Sequence, residues 1–439
     1  MNNHTNNSSS ALPRRQFLGQ TAATLASLAV VPGILRAQTP GASSSRRLGV
    51  GFISCGGRAG EHFNMVCRLR DEFKMPVDLV ACCDIYRPRL EQKMQKYQIK
   101  NGHASYQKLL EDPAVDIVCI ATPDHHHVPQ ALAAVKAGKH VYCEKPISHW
   151  SQFEATRTLA DAVAASKVAF VCGTQAMTDP AWKKMKELIQ AGAIGQPIQA
   201  EVGFFRTGDF GERGMPIDDP NAKPGPDLDW EAFLGQDRPK VPFSVDRFFR
   251  WRLFSDYAGG PVTDLYPHSL APVVDMLGIG FPEQVAAIGS ISRYPYELRD
   301  VPDTFQLIAQ YAKGMSLSLT GTQGNDYQTT PLRGAGQRCP VIRGWDGSLF
   351  VDPNNREIVC RSTAGSTRTK ALERFPIGGS EDNVLLWKSL VECALEGRQD
   401  TMSTMDLAFR TQTTLQMAMI GHLHGKTIRF DNAKREIVV

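Results

Sequence analysis

Arg46-Arg47-Leu48-Gly49-Val50-Gly51-Phe52-Ile53-Ser54-Cys55-Gly56-Gly57-Arg58-Ala59-Gly60 decides how the first domain folds. Leu48 to Ile53 is a short apolar run, the pattern of a parallel strand buried on both faces. Ser54-x-Gly56-x-x-Ala59 then stands in the places of the G-x-G-x-x-G/A fingerprint, with serine for the first glycine. Gly56 lets the backbone approach a pyrophosphate, and a small residue at Ala59 lets helix and strand pack closely. Glu61 to Phe73 is expected to form a helix whose N-terminus faces the phosphates. A tight glycine-rich strand-to-helix turn of any kind would share this pattern, so the context must carry the reading.

That context is regular. Val77 to Cys83 is a second apolar run, ending at Asp84. An acidic residue there, roughly 20 or more residues past the glycines, is placed to bind the adenosine ribose. A carboxylate favours NAD over the 2′-phosphate of NADP; Arg87 and Arg89 close by weaken that preference and keep NADP open. Val115 to Ala121 is a further strand candidate, preceded by Asp112-Pro113 and ended by Thr122-Pro123. Val128 to Ala137 has helical spacing with Gly138 as its stop. Lys139 to Cys143 is the next strand, ending in Glu144-Lys145-Pro146. These intervals predict a doubly wound parallel sheet with ligands at the carboxyl ends of its strands. His125-His126-His127 reads as a polar loop at a strand end. Three consecutive side chains do not easily converge on one ion, so no metal is expected.

The chain has 439 residues, enough for two or three domains of roughly 150 residues each. Hydrophobic residues make up 42%, which suits a globular α/β protein rather than a disordered one. The balance of 49 Lys+Arg against 45 Asp+Glu gives only +4, without a long basic block, so no nucleic-acid partner is expected. Of the ten cysteines, Cys82, Cys83, Cys119, Cys143 and Cys172 lie in or beside apolar runs and read as small core hydrophobes. No C-x-x-C pair suggests zinc.

The N-terminal segment reads as an address. Pro13-Arg14-Arg15-Gln16-Phe17-Leu18 is followed by a mild apolar stretch, Gly19 to Leu35, and Ala37 is a plausible cleavage point. This order suggests a twin-arginine export signal over residues 1–37 and a periplasmic or otherwise exported protein. The stretch is too short and too rich in Ala, Gly and Thr for a membrane span, although an uncleaved signal would act as an anchor. Twin-arginine export carries folded proteins, so a dinucleotide can be loaded before export.

Thr122-Pro123-Asp124-His125-His126-His127 and Ala137-Gly138-Lys139-His140-Val141-Tyr142-Cys143-Glu144-Lys145-Pro146 resemble the glucose–fructose oxidoreductase/inositol dehydrogenase (Gfo/Idh/MocA) family. Trp251-Arg252 and Gly259-Gly260-Pro261-Val262-Thr263-Asp264-Leu265-Tyr266-Pro267-His268 add a second match in the right order. The resemblance implies an N-terminal Rossmann domain, over 46–172, and a C-terminal α+β domain, over 173–439, with an open, largely antiparallel sheet. It implies a homo-oligomer through that sheet, NAD or NADP as cofactor, and a sugar or polyol substrate. The cofactor site would comprise Gly56, Gly57, Arg58, Ala59, Asp84, Thr122, Pro123, His127, Glu144 and Lys145, with Glu144 near the nicotinamide ribose. Lys145 would lie near the nicotinamide and the reacting oxygen, with Asp264 and His268 beside the substrate. Tyr266 stands where the family often has glycine, and Ala271 where it often has aspartate, so the substrate side of the pocket is expected to differ.

An imidazole titrates near neutral pH, which suits His268 as the base for a hydroxyl proton. Asp264 could orient it or bind a neighbouring hydroxyl, and Lys145 could stabilise a developing alkoxide. The alternatives are a surface lysine before a turn and an Asp/His pair that merely solvates a helix face. Pro267 places the helix start near Tyr266. Pro197 to Arg206, Gln284 to Ser292, Thr304 to Tyr311 and Met315 to Thr320 have strand character, with turns suggesting antiparallel pairing, and Val341 to Ile358 resembles a hairpin. Gly208 to Pro242 reads as an ordered loop over the site. Asp382 to Leu395 and Met405 to Leu423 are helices, stopped by Gly397 and Gly425, that should return towards the cofactor domain. The leading function is a sugar or polyol oxidoreductase with a tightly bound, internally recycled cofactor. The alternatives are an NAD-dependent glycosidase working by transient oxidation, and a non-catalytic sugar-binding relative.

Overall fold

A computed structural model describes residues 46–209, 215–327, 340–352, 356–366 and 370–439. The expected export signal, Arg14-Arg15 included, lies outside the described residues. Strand β1 (Leu48–Ile53) is buried along its whole length. It is followed by α1 (Gly57–Asp71), β2 (Val77–Cys83), α2 (Arg87–Tyr97), β3 (Asn101–His103), α3 (Tyr106–Glu111) and β4 (Ile117–Ile120). Then come α4 (Asp124–Lys136), β5 (His140–Glu144), α5 (Phe153–Ala165) and β6 (Phe170–Gly173). The strands form one parallel sheet in the order β3-β2-β1-β4-β5-β6. The order reverses between β1 and β4, which puts the ligand crevice at the carboxyl ends of those strands.

One sequence expectation needs correction here. The three histidines form no loop; they occupy the first turn of α4, which begins directly after Pro123. Asp124 opens that turn. Four ring nitrogens of the run face carbonyl oxygens, while His125 Nδ1 is buried without a hydrogen-bond partner. His125 and His126 both turn Nε2 to Phe233 O, at 2.8 and 2.7 Å. His127 instead lies between Thr122 O and Pro146 O.

After β6 the chain forms α6 (Pro180–Gln190), β7 (Pro197–Thr207), α7 (Trp230–Leu234), α8 (Val245–Phe249), α9 (Pro261–Asp264) and α10 (Tyr266–Leu277). The strands β8 (Gln284–Ser290), β9 (Thr304–Gln310), β10 (Ser316–Thr322) and β11 (Gly324–Asn325) follow. The remaining elements are β12 (Val341–Gly344), β13 (Gly347–Asp352), β14 (Glu357–Ser362), β15 (Leu372–Pro376), α11 (Val384–Glu396), α12 (Met405–His424), β16 (Ile428–Asp431) and β17 (Glu436–Val438). The second sheet runs β15-β14-β13-β12-β7-β10-β9-β8-β16-β17, with β11 paired to β7. Its pairs are antiparallel except β7 with β10, where the turn-based expectation of antiparallel pairing fails. Helices α7 to α10 and strands β8 and β9 lie between these two strands in the chain, and a connection of that length permits parallel pairing.

Residues on β9 alternate buried and exposed, the period-2 pattern of a sheet with one covered face. That face packs on α6, α10 and α12 in one apolar core with the α4–α5 side of the Rossmann sheet. The opposite face leaves Ile288 and Ile308 exposed. Helix α11 returns to the other side of the Rossmann sheet, where Trp387 stacks on Tyr142 at 4.6 Å and joins Phe52, Phe63 and Val66 in a second core. Both expected helix stops hold: Gly397 and Gly425 are left-handed C-caps.

The stretch from Met215 to Ala258 forms a third cluster, built on Trp230, Phe233, Phe248, Phe249, Trp251 and Tyr257. It straps back onto the Rossmann domain. Tyr86 packs edge-on against Phe248 and Phe249. The backbone is tied as well: Arg87 N donates to Asp227 O at 2.9 Å, and Asp229 N to Ile85 O at 3.1 Å. Of the segment read as a loop over the site, residues 215–242 belong to this docked strap, and residues 210–214 lie outside the described residues.

Candidate active site

The strap, the strand ends and α9 enclose a cleft of about 1110 Å³. Gly56, Gly57, Arg58, Asp84, Thr122, Pro123 and Asp264 line it, as do Arg206, Asp218, Arg238 and Arg252. Drug-sized ligands occupy roughly 300–1,000 Å³, so the cleft has room for a dinucleotide together with a small substrate.

At the glycine turn, Ser54 adopts φ +97°, a conformation normally left to glycine. The serine at the first fingerprint position thus keeps the glycine-like turn. Its Oγ accepts from Gly56 N at 3.3 Å, which offsets part of the strain. Gly56 caps α1 without a side-chain capping bond, so the helix N-terminus offers its first N–H groups to the cleft. A Cβ on Gly57 would meet open space, and Arg58 Nη2 is buried without a hydrogen-bond partner. Backbone donors, an open turn and an unmatched guanidinium N–H together fit a pyrophosphate. Ala59 is fully buried, as close packing of α1 on the sheet requires.

Asp84 ends β2 and faces the cleft. Its carboxylate accepts from Cys55 N at 2.6 Å and Tyr86 N at 2.8 Å, which fixes it beside the glycine turn. Burial pushes its pKa up, while Arg89 and the two backbone donors oppose the shift. Of the two arginines suspected of favouring a 2′-phosphate, Arg87 pairs with Asp227 at 2.6 Å. Arg89 lines the cleft but is paired with Asp218.

Glu144 is 3% exposed and lies behind the cleft. Its Oε1 receives Arg58 Nε, His62 Nε2 and Gln175 Nε2, each at 2.8 Å. Trp387 Nε1 donates to His62 Nδ1 at 2.9 Å, so the proton of neutral His62 sits on Nε2 and points at Glu144. Burial alone would raise the Glu144 carboxyl, but Arg58 and His62 outweigh it and hold it well below the usual range. Glu144 therefore reaches the cleft through Arg58. His127, also buried, ties the ends of β4 and β5 together through Thr122 O and Pro146 O.

Two of the three catalytic candidates, Lys145 and Asp264, meet. Lys145 Nζ donates to Asp264 O at 2.6 Å and to Asp264 Oδ1 at 2.9 Å. Arg252 Nε donates to the same Oδ1 at 3.2 Å. Burial would raise Asp264, but Lys145, Arg252 and Arg206 keep it ionised far below the ordinary carboxylate range. Gly260 makes this placement possible. It holds φ +61° before α9, and a Cβ there would lie 2.5 Å from Pro302 O. His268 follows in the first turn of α10, half-buried, with its ring 6.3 Å from that of the cleft residue Phe204. The helix begins at Tyr266, as Pro267 implied. Tyr266 and Ala271, the two departures expected to reshape the pocket, are both in the core; Tyr266 Oη donates to Phe305 O instead.

Sequence reasoning missed several groups. Asp124 is buried beside this cluster, accepts from Thr263 Oγ1 at 3.4 Å, and is raised by burial to about 7. Asp218, Arg206 and Arg238 come from the strap and the end of β7, where no local pattern marks them. His62 and Trp387 are bound into the Glu144 network from positions that read only as helix. Among the described residues no group of three or more His, Cys, Asp or Glu is arranged to hold a metal ion.

A Rossmann domain whose strand ends face a second, open-sheet domain is an architecture that binds a dinucleotide at the strand ends. Residues 48–174 match the family model described as "Oxidoreductase family, NAD-binding Rossmann fold" (GFO_IDH_MocA). Levoglucosan dehydrogenase of Pseudarthrobacter phenanthrenivorans is 29% identical over 136 residues, 31% of each chain. Myo-inositol 2-dehydrogenase of Thermotoga maritima is 32% identical over 119 residues, 27% of this chain and 35% of that protein. The matched region thus spans about a third of these curated relatives. A solved levoglucosan dehydrogenase, in complex with NADH and levoglucosan, shares the fold with a TM-score of 0.66 at 18% identity, covering 88% of this chain and 99% of that one.

Proposed function

We propose that this protein oxidises a hydroxyl of a sugar or polyol with NAD. The observation that carries the reading is the Lys145–Asp264–Arg252 cluster, whose Asp264 and Arg252 line a cleft that fits the dinucleotide, with His268 in the first turn of the following helix. The named relatives act on an anhydro sugar and an inositol, which supports this substrate class.

Bound NAD+ supplies the hydride acceptor. The chain's own residues handle the proton and the charge. A carboxylate depressed as far as Asp264 is a poor base, so its role is to accept a substrate hydroxyl and hold Lys145 in place. Lys145 stabilises negative charge on the reacting oxygen. His268 takes the hydroxyl proton. The alcohol loses one proton and one hydride, leaving a carbonyl, the reduced nicotinamide and a protonated base. The test is a panel of sugars and polyols, assayed by nicotinamide absorbance with wild type and His268→Asn. Turnover that falls about a hundredfold in the variant supports the assignment. Undiminished turnover in the variant removes His268, and no turnover on any polyol removes the reading.

We further propose that the cofactor is held tightly and recycled in place. The strap docked over the cleft and the export signal read at Arg14-Arg15 support this, since an exported enzyme has no ready NAD pool. Protein purified without added nucleotide should release stoichiometric dinucleotide on heating. An empty protein that is fully active once NAD is added, and releases it each cycle, contradicts retention. The exposed face carrying Ile288 and Ile308 supports association of two copies through the second sheet; sedimentation of wild type against Ile308→Lys tests this.

A further inference from the structure

We infer that Asp218, supplied by the strap, sets the preference for NAD over NADP by neutralising Arg89. The geometry places three charged groups at the adenosine end of the cleft: Asp84, Arg89 and Asp218 all line it. Asp84 ends β2, where the ribose hydroxyls of a dinucleotide lie in this type of sheet. The Arg89 guanidinium overhangs the glycine turn, with Nη1 3.6 Å from where a Cβ on Gly56 would stand. It rests on the Phe249 ring at 5.1 Å, which holds its plane in position.

An arginine in this place is the residue that accommodates a 2′-phosphate. Here both its Nε and Nη2 are directed to one oxygen of Asp218, at 2.7 and 2.6 Å. The site therefore holds two carboxylates and one cation, and its net charge repels a phosphate dianion. Asp84 registers both neighbours: Arg89 lowers its pKa and Asp218 raises it. Asp84 alone discriminates against a 2′-phosphate, but beside an uncompensated arginine that discrimination would weaken. Asp218 restores it from a segment 129 residues further along the chain. Arg87 is not among the residues that line the cleft and turns to Asp227 instead.

The test is equilibrium competition on the full-length protein. Wild type, Asp218→Asn, Arg89→Ala and the double variant are held in a large excess of equimolar NAD and NADP until the nucleotide carried through purification has exchanged, then desalted, and the nucleotides released by heat are quantified. Asp218 is 41% exposed, so the isosteric amide preserves the surface. The released NADP/NAD ratio should rise about tenfold or more in Asp218→Asn, the worth of one additional charge-assisted hydrogen bond from Arg89 to the 2′-phosphate. It should return to the wild-type value in the double variant, because the rise acts through Arg89. A ratio within twofold of wild type in Asp218→Asn overturns the inference, and so does a rise that survives removal of Arg89. Loss of both nucleotides in Asp218→Asn overturns it as well, because Asp218 would then anchor the strap rather than discriminate.

Discussion

Lys145→Ala is the most informative single perturbation. It removes the cation 2.9 Å from Asp264 Oδ1, in a pair whose side chains are 11% and 9% exposed. Removing one partner of a buried pair costs about 3–5 kcal/mol. Arg252 stays 3.2 Å from the same oxygen, which places this loss at the low end, about 3 kcal/mol. With about 2.1 cal/mol/K of unfolding entropy per residue over roughly 390 folded residues, Tm should fall by about 4 °C. The pH dependence has a definite sign. Asp264 is depressed in the folded state, so its stabilisation is present above the ordinary carboxylate pKa and lost as pH falls below it. The deficit of Lys145→Ala should therefore be full at pH 7 and shrink between about pH 5 and 3, where an unpaired Asp264 can protonate. Turnover should drop about 10²–10⁴-fold if Lys145 stabilises charge on the reacting oxygen, while NAD affinity stays within about threefold. Thermal scans from pH 3 to 8, nucleotide fluorescence titration and steady-state rates check each part. A variant with normal kcat/KM refutes the catalytic reasoning, and an unchanged Tm at pH 7 refutes the electrostatic reasoning.

Asp124→Asn should stabilise the protein at pH 8 and leave it little changed at pH 4. A carboxyl raised to about 7 in the folded state loses stability between its unfolded pKa and pH 7, and an amide does not titrate; equal Tm shifts at both pH values would contradict this. Gly260→Ala should destabilise by about 2 kcal/mol or more, through positive φ and the contact with Pro302 O, and should lower turnover by displacing Asp264; a denaturant midpoint equal to wild type would show that the loop adjusts freely. Ser54→Gly should gain up to about 1 kcal/mol from relief at φ +97°, less the Gly56 N–H bond to Ser54 Oγ, with NAD still bound; a marked loss of stability would show that the hydroxyl bond outweighs the strain.

Much of the fold was legible because its signals are local. Apolar runs at Leu48–Ile53 and Val77–Cys83 match β1 and β2 to the residue. Gly397 and Gly425 ended their helices because a left-handed C-cap favours glycine wherever the rest of the chain lies. The parallel β7–β10 pair was not legible, since sheet neighbours 100 or more residues apart are decided by the crossover between them. The histidine run was misread for a related reason. Its helical state depends on Phe233 O and Pro146 O, acceptors that only the folded chain brings to it.

The site divides along the same line, and the division explains how the two domains share one task. Groups carried by short motifs could be found: the glycine turn, Asp84, Glu144-Lys145, Asp264 and His268. Groups that set their charge could not, because each comes from a distant element. Arg89 and Asp218 are 129 residues apart, and Trp387 reaches His62 across 325. In each case a motif residue of the Rossmann half, or its helix, meets a partner from the second half. A dinucleotide cleft with the right motif would still lack a depressed Asp264 if Lys145 were not brought to it. It would also carry an uncompensated Arg89 if the strap were not docked. The second domain therefore completes the electrostatics of the cleft. Weakening the strap at Asp227 or Tyr86, far from any reacting atom, should for that reason alter nucleotide selectivity before it alters stability, a shift that the competition assay for Asp218 would read directly.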